Sequence, residues 1–286
     1  MKPQAFSYLM MGLPSTGKTT FLAALWHAVQ EPAAKCALRL DHVDGNSQQL
    51  NNIRDCWLRC EPVPRTLTHS EKILSMHLKD SITNAAVTLQ VPDLAGELFE
   101  SQWTSRRWPA AYDRMIAKSG GALLFLYPDR IQEPTRIDMI ETIAPGSAGG
   151  NSTDHTTSSP QVPWSASLAP TQVKLVELLQ FAVSRKGRKA PFRLAVIVSA
   201  WDKLTALNQS PEVWLKHQFP LLHQVLISRA SEIPSVVFGL SAQGGEYASN
   251  NVDPLSELVP MKRIQLVGSC VSQKHDITEP VKWLMG

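Results

Sequence analysis

No stretch of this sequence approaches the roughly eighteen consecutive apolar residues that a membrane-spanning helix requires. Charge of one sign is also scarce. The 28 Lys and Arg against 25 Asp and Glu leave a net charge of +3, too little to point to nucleic acid or a lipid surface as partner. Cysteine is sparse, limited to Cys36, Cys56, Cys60 and Cys270. Cys56 and Cys60 share a face of a helical segment, but no His/Cys pair stands at a spacing that completes a zinc site. Reduced thiols and a cytoplasmic location are therefore expected. The opening MKPQAFSYLMMGLPSTGK has a short apolar stretch ending in Gly and Lys rather than a small-residue cleavage site. No secretory signal is expected from it. There are no internal repeats.

What is present is alternation. Across 286 residues, short apolar runs trade places with amphipathic stretches, which predicts one α/β domain over 1–286 with a mostly parallel central sheet and helices on both faces. Strands are expected at 6–12, 37–43, 72–78 and 85–93, the last two joined by a tight turn from Asp80 to Asn84. The near-continuous apolar runs at 120–128, 191–199 and 235–241 suit central strands buried on both faces. Helices are expected after residue 17, as an insertion near 44–60, near 170–184 and 211–230, and at the final TEPVKWLMG with Pro in its first turn. Residues 143–164, rich in Gly, Ser, Thr, Asn and Pro, read as a flexible insertion loop.

The first apolar strand runs directly into GLPSTGKT, which fits G-x-x-x-x-G-K-[ST]. Glycines let the backbone wrap a phosphate with its N–H groups, and the next helix turns its positive end toward the same anion. Gly12, Leu13, Pro14, Ser15, Thr16, Gly17, Lys18, Thr19 and Thr20 are the candidate nucleotide-binding residues. Lys18 would reach the β/γ-phosphates and the Thr19 hydroxyl would ligate Mg²⁺. A second motif follows at a strand end: Asp93-Leu-Ala-Gly96-Glu97. Asp93 suits Mg²⁺, and Gly96 can offer its N–H to a γ-phosphate without side-chain obstruction. D-x-x-G here resembles the γ-phosphate sensor of Ras-like GTPases. An ATPase of the RecA or AAA kind more often has Glu directly after the Asp, where this chain has Leu94.

The strand at 191–199 leaves through Ser199-Ala200-Trp201-Asp202, in the place where Ras-like GTPases carry N/T-K-x-D. Asp202 is suited to accept from the guanine N1 and N2 donors. Ala200 lacks the aliphatic stem that packs on the base, which leaves Trp201 to contribute otherwise. The next strand ends in Ser241-Ala242-Gln243, similar to the S-A-K loop that meets guanine O6.

Together GLPSTGKT, DLAGE, SAWD and SAQ resemble a translation-factor-class (TRAFAC) P-loop GTPase, and more closely the bacterial double-GTPase family of conflict and defence operons. The resemblance covers nearly the whole chain. It implies a Ras-like G domain with GTP or GDP and Mg²⁺ as ligands, and protein partners that include a second GTPase. Switch segments are expected at 61–68 and 93–108. In the first, Thr66 or Thr68 is the Mg²⁺-closing threonine, with Thr66 preferred, and Arg65 is placed to act as a cis arginine. Glu97 stands where Ras-like proteins put a water-orienting Gln, so hydrolysis is expected to be slow or partner-dependent. Trp103, Arg106, Arg107 and Trp108 suit partner contact, with core packing as the plain alternative. The basic run at 185–189 reads as a solvated turn. Two other functions stay open: a nucleotide-binding interaction module that does not hydrolyse, and a P-loop ATPase or small-molecule kinase.

Overall fold

The computed structural model describes residues 6–45, 47–63, 74–92, 97–134, 165–184, 190–247 and 254–286. Among these residues eight strands form a single sheet: β1 (Phe6–Met11), β2 (Leu38–Asp44), β3 (Leu74–Asp80), β4 (Ala86–Val91), β5 (Gly121–Leu126), β6 (Arg193–Ser199), β7 (Ser235–Ser241) and β8 (Gln265–Val267). Their order across the sheet is β2-β3-β4-β1-β5-β6-β7-β8. Neighbours from β4 to β7 run parallel, while β2, β3 and β8 join antiparallel.

Burial follows the sequence pattern. Every residue of β5 is buried, as are β6 and β7 beyond their first residue. Covering on both faces explains their unbroken apolar runs. Strand β3 instead alternates, with Leu74, Met76 and Leu78 inward and Ser75, His77 and Lys79 less buried. Between β3 and β4 the expected turn is fastened by Asp80, whose Oδ1 accepts from the N–H of Ile82 (2.9 Å) and of Thr83 (2.7 Å).

The helices are α1 (Lys18–Gln30), α2 (Ser47–Leu58), α3 (Glu97–Ser105), α4 (Ala110–Lys118), α5 (Thr171–Val183), α6 (Pro211–Gln218), α7 (Pro220–Ser228), α8 (Pro260–Arg263) and α9 (Glu279–Met285). Two cores lie against opposite faces of the sheet. One holds α1, α2 and α9 with Leu123 and Phe125 of β5. The other holds α4 to α7 with Ala122, Leu124 and Leu126 of the same strand. The chain thus leaves β1 toward one face and, through α5, reaches β6 by way of the other. A ligand crevice belongs at that switch, beyond the C-terminal ends of β1, β5, β6 and β7.

Two local expectations are corrected. The helix read over 211–230 is two helices, because Pro220 has no N–H to continue the first and its fixed φ starts the second. Strand β8 was missed, since three residues carry no readable period. Residues 97–105, within the expected switch segment at 93–108, form α3. The loop at 143–164 and the basic run at 185–189 lie outside the described residues.

Candidate nucleotide-binding site

The loop from Gly12 to Gly17 connects β1 to α1 and adopts backbone that L side chains resist. Gly17, the N-cap of α1, has φ +88°. A Cβ there would lie 2.8 Å from the Ser199 Oγ, so both conformation and space demand glycine. A Cβ on Gly12 would meet the Thr16 Oγ1 at 2.9 Å and the Phe125 carbonyl at 3.0 Å. Lys18 is buried, and its ammonium donates to the carbonyls of Gly12 (2.9 Å) and Leu13 (2.8 Å). Thr16 adds a hydroxyl bond to the same Leu13 carbonyl (2.9 Å). The loop is thereby closed into a ring around its own lysine. Thr19 and Thr20 follow, half-buried, on the first turn of α1, where unpaired backbone N–H groups and the helix dipole favour an anion.

The loops after β6 and β7 meet this one from the side. Ser199 Oγ donates to the Thr16 carbonyl at 2.8 Å. Ala200 then takes a left-handed conformation, φ +50°, which turns the chain so that Asp202 enters the cleft. Ser241 Oγ donates to the Asp202 Oδ1 and accepts from the Gly244 N–H at 3.1 Å. Ser241 is buried, and Asp202 is therefore oriented by a fixed hydroxyl. Trp201 does not face the cleft. It is buried against Gly239, where a Cβ would lie 2.3 Å from the Trp201 Cδ2.

The resulting cleft has a volume of about 490 Å³ and is lined by Lys18 and Thr19 together with Asp202, Ser241 and Ala242. That size suits a small-molecule ligand, within roughly 300–1,000 Å³. Residues 9–284 match the family model described as Double-GTPase 1. The chain belongs to the Double-GTPase 1 family. Among the described residues its fold is α/β, with helices on both faces of a mostly parallel sheet. No curated protein matches this chain.

Among solved structures, the Ski7 GTPase-like domain of S. cerevisiae bound to GTP is similar at 11% identity and TM-score 0.44, covering 99% of this chain and 51% of that one. Bacterial selenocysteine-specific elongation factor EF-Sec is similar at 13% identity and TM-score 0.36, over 85% of this chain and 26% of that one. The cytosolic domain of the T. maritima FeoB iron transporter in a GDP form is similar at 10% identity and TM-score 0.30, over 85% and 59%. This double-GTPase chain thus spans about half the length of the Ski7 chain and about a quarter of EF-Sec. Among the described residues, no helix is long and apolar enough to cross a membrane.

Of the residues singled out in the double-GTPase sequence, the cleft brings together Ser15 to Thr20, Asp202, Ser241 and Ala242, while Gly12 and Leu13 bind the Lys18 ammonium through their carbonyls. Arg65, Thr66, Thr68, Asp93 and Gly96 lie outside the described residues. Glu97 opens α3. Trp103 is buried and donates its indole N–H to the Ala166 carbonyl at 2.8 Å. Arg106 lies over the Trp103 ring and pairs with Glu177. Trp108 stacks on Tyr112, with centroids 4.4 Å apart. Both tryptophans thus pack inward while Arg106 and Arg107 stay exposed, which favours core packing over partner anchoring for the tryptophans.

Sequence reading missed Lys203. It lines the cleft, pairs with Asp129 at 2.6 Å and Glu246 at 2.7 Å, and lies 5.9 Å from the centre of the Tyr127 ring. Hydrogen bonds to the two carboxylates raise its pKa above the usual lysine range. The signal was available, for a lysine directly follows the candidate base-reading Asp. Also missed was α2 as a support for the cleft. Its Trp57 indole donates to the Ala242 carbonyl at 3.0 Å. Helix α2 ends in a Schellman motif, with Cys60 at φ +57° and the Glu61 N–H bonded to the Cys56 carbonyl at 2.9 Å. The buried Arg263 guanidinium seals that end, donating to the Trp57 carbonyl at 3.0 Å while lying over the Trp57 ring. A cation at a helix C-terminus is favoured by the dipole.

Proposed function

We propose that the chain is a guanine-nucleotide switch: it binds GTP with Mg²⁺ in this cleft, hydrolyses it, and signals the bound state to protein partners. The observation that carries the reading is Asp202, held by Ser241 in the wall of the same cleft that Lys18 lines. A carboxylate there matches the paired N1 and N2 donors of guanine, which adenine lacks. Lys18, the α1 N-terminus and the backbone of residues 13–19 are assigned to the phosphates.

The Thr19 hydroxyl, half-buried on the cleft wall, is a hard oxygen donor and fits Mg²⁺, with Asp93 and Thr66 proposed to complete the protein's share of the ligands. When bound, the ion neutralises charge on the β- and γ-phosphates. Lys18 and the loop N–H groups then stabilise the charge that grows as water attacks the γ-phosphate. Gly96 is assigned to sense that phosphate, Arg65 to stabilise it in cis, and Glu97 to face the water. We read residues 1–286 as one such domain in the cytoplasm. A second GTPase as partner and a place in a defence operon rest on the family resemblance. Glu97 in place of Gln favours a second reading, a switch that turns over only with its partner.

The test is equilibrium binding of fluorescent GTP, GDP and ATP analogues with Mg²⁺ to the wild type and Asp202→Ala, with GTP turnover measured beside Lys18→Ala. Guanine preference erased in Asp202→Ala is the expected result. Equal ATP and GTP affinity in the wild type overturns it.

A further inference from the structure

On the exposed face of the sheet margin, away from the nucleotide cleft, β2 and β3 bring two histidines and a carboxylate together. The register explains how. Leu40 stands opposite Leu78, but the next pair is His42 opposite His77, because a β-bulge skips Asp41. An unbroken ladder would set Asp41 against His77 and turn His42 to the other face; a bulge re-aims a side chain in this way. Asp44, two residues on, shares the face. His42, Asp44 and His77 each offer a ligand atom, all within 4.8 Å of one another.

Each imidazole also has an outer partner on the same nitrogen. His42 Nδ1 lies 3.2 Å from the Asp41 Oδ2, and His77 Nδ1 lies 2.9 Å from the Thr88 Oγ1 on β4. In the tautomer that donates Nδ1–H to these oxygens, Nε2 is left as the ligand atom. His77 Nε2 already lies 3.0 Å from the Asp44 Oδ2. Lys79 holds Asp41 at 2.6 Å, which keeps that carboxylate in its outer position.

We propose that His42, Asp44 and His77 form a surface site for a borderline divalent transition ion of the Zn²⁺ class. Two imidazole nitrogens and one carboxylate oxygen are the donors such ions prefer, with water filling the remaining positions. The two rings stack with centroids 4.1 Å apart and planes 7° from parallel, so they do not aim both lone pairs at one point. Binding turns the His42 ring, the more exposed of the two. The ion clips β2 to β3 across the bulge.

The test uses the full chain without nucleotide. Zn²⁺ is titrated calorimetrically into wild type, His77→Ala and the more exposed His42→Ala, each checked for unchanged circular dichroism in chelator. Histidine modification by diethyl pyrocarbonate is mapped with and without Zn²⁺. One equivalent is expected to bind, at least about tenfold more weakly in either variant. Zn²⁺ should protect His42 and His77 while the exposed His217 reacts as before. Should His77→Ala misfold, His42→Ala and the protection map decide. No binding by the wild type, equal binding by the folded variants, or binding without protection overturns the site.

Discussion

The Trp57 indole and the Ala242 carbonyl are 3.0 Å apart, although 185 positions separate them in sequence. That bond joins the inserted helix α2 to the loop proposed to read the base. Residues 61–68, read as the first switch, follow α2 directly.

Trp57→Phe keeps an aromatic ring under Arg263 and removes the donor together with part of the buried ring volume. A buried carbonyl left without its partner costs about 1–2 kcal/mol, and part of that cost falls on the cleft. We expect GDP to dissociate several-fold faster, with a smaller loss of thermal stability. Stopped-flow release of a fluorescent GDP analogue measures the first and a melting curve the second. Unchanged release at reduced stability would mean that the bond supports only the fold.

Lys203 presents a different opportunity. Its ammonium is anchored between Asp129 and Glu246, so its four-carbon stem is held along the cleft wall. Ala200 provides no such stem. Lys203→Ala should therefore weaken GTP and GDP alike, by about tenfold for about 1.4 kcal/mol of lost packing. Lys203→Met keeps the stem and should recover most of it. Nucleotide affinities of the two variants distinguish packing on the base from charge: if Met behaves as Ala, charge dominates.

Asp80 gives a prediction about pH. Burial pushes its pKa up, but the Thr83 and Ile82 N–H groups and the Lys282 ammonium outweigh that and hold the carboxyl at about 2. A pKa depressed on folding contributes stability that is present above the unfolded value, about 3.9, and lost as pH falls through 2. The expected contribution is about 2 kcal/mol near neutral pH. Urea unfolding of wild type and Asp80→Asn should show the wild type ahead near neutrality and the two converging by about pH 2. A gap that does not change with pH would refute the assignment.

Much of this was legible in the sequence because it is written in local chemistry. GLPSTGKT determines a loop through backbone constraints, and Gly17 leaves no alternative. The strands buried on both faces announced themselves as apolar runs. The split at Pro220 was also written there, and reading 211–230 as continuous gave amphipathic period more weight than a missing N–H. Other features depend on distance. That Trp201 packs on Gly239 rather than over the cleft follows from the close approach of β6 and β7, which no spacing reports. Arg263 sealing the end of α2 joins residues more than two hundred positions apart. His42 meets His77 only because of one skipped residue in a ladder.

An open sheet has two margins, and each exposes backbone groups to any strand that arrives. Among the described residues β8 guards one margin by brevity, with three residues from Gln265 to Val267. β2 guards the other by disruption: its bulge breaks the line of donors and acceptors, and Arg39, Asp41 and Asp44 stand exposed along it. Charge and irregularity at an edge oppose edge-to-edge association. Among the described residues, then, both margins of the sheet carry features that discourage the arrival of another strand.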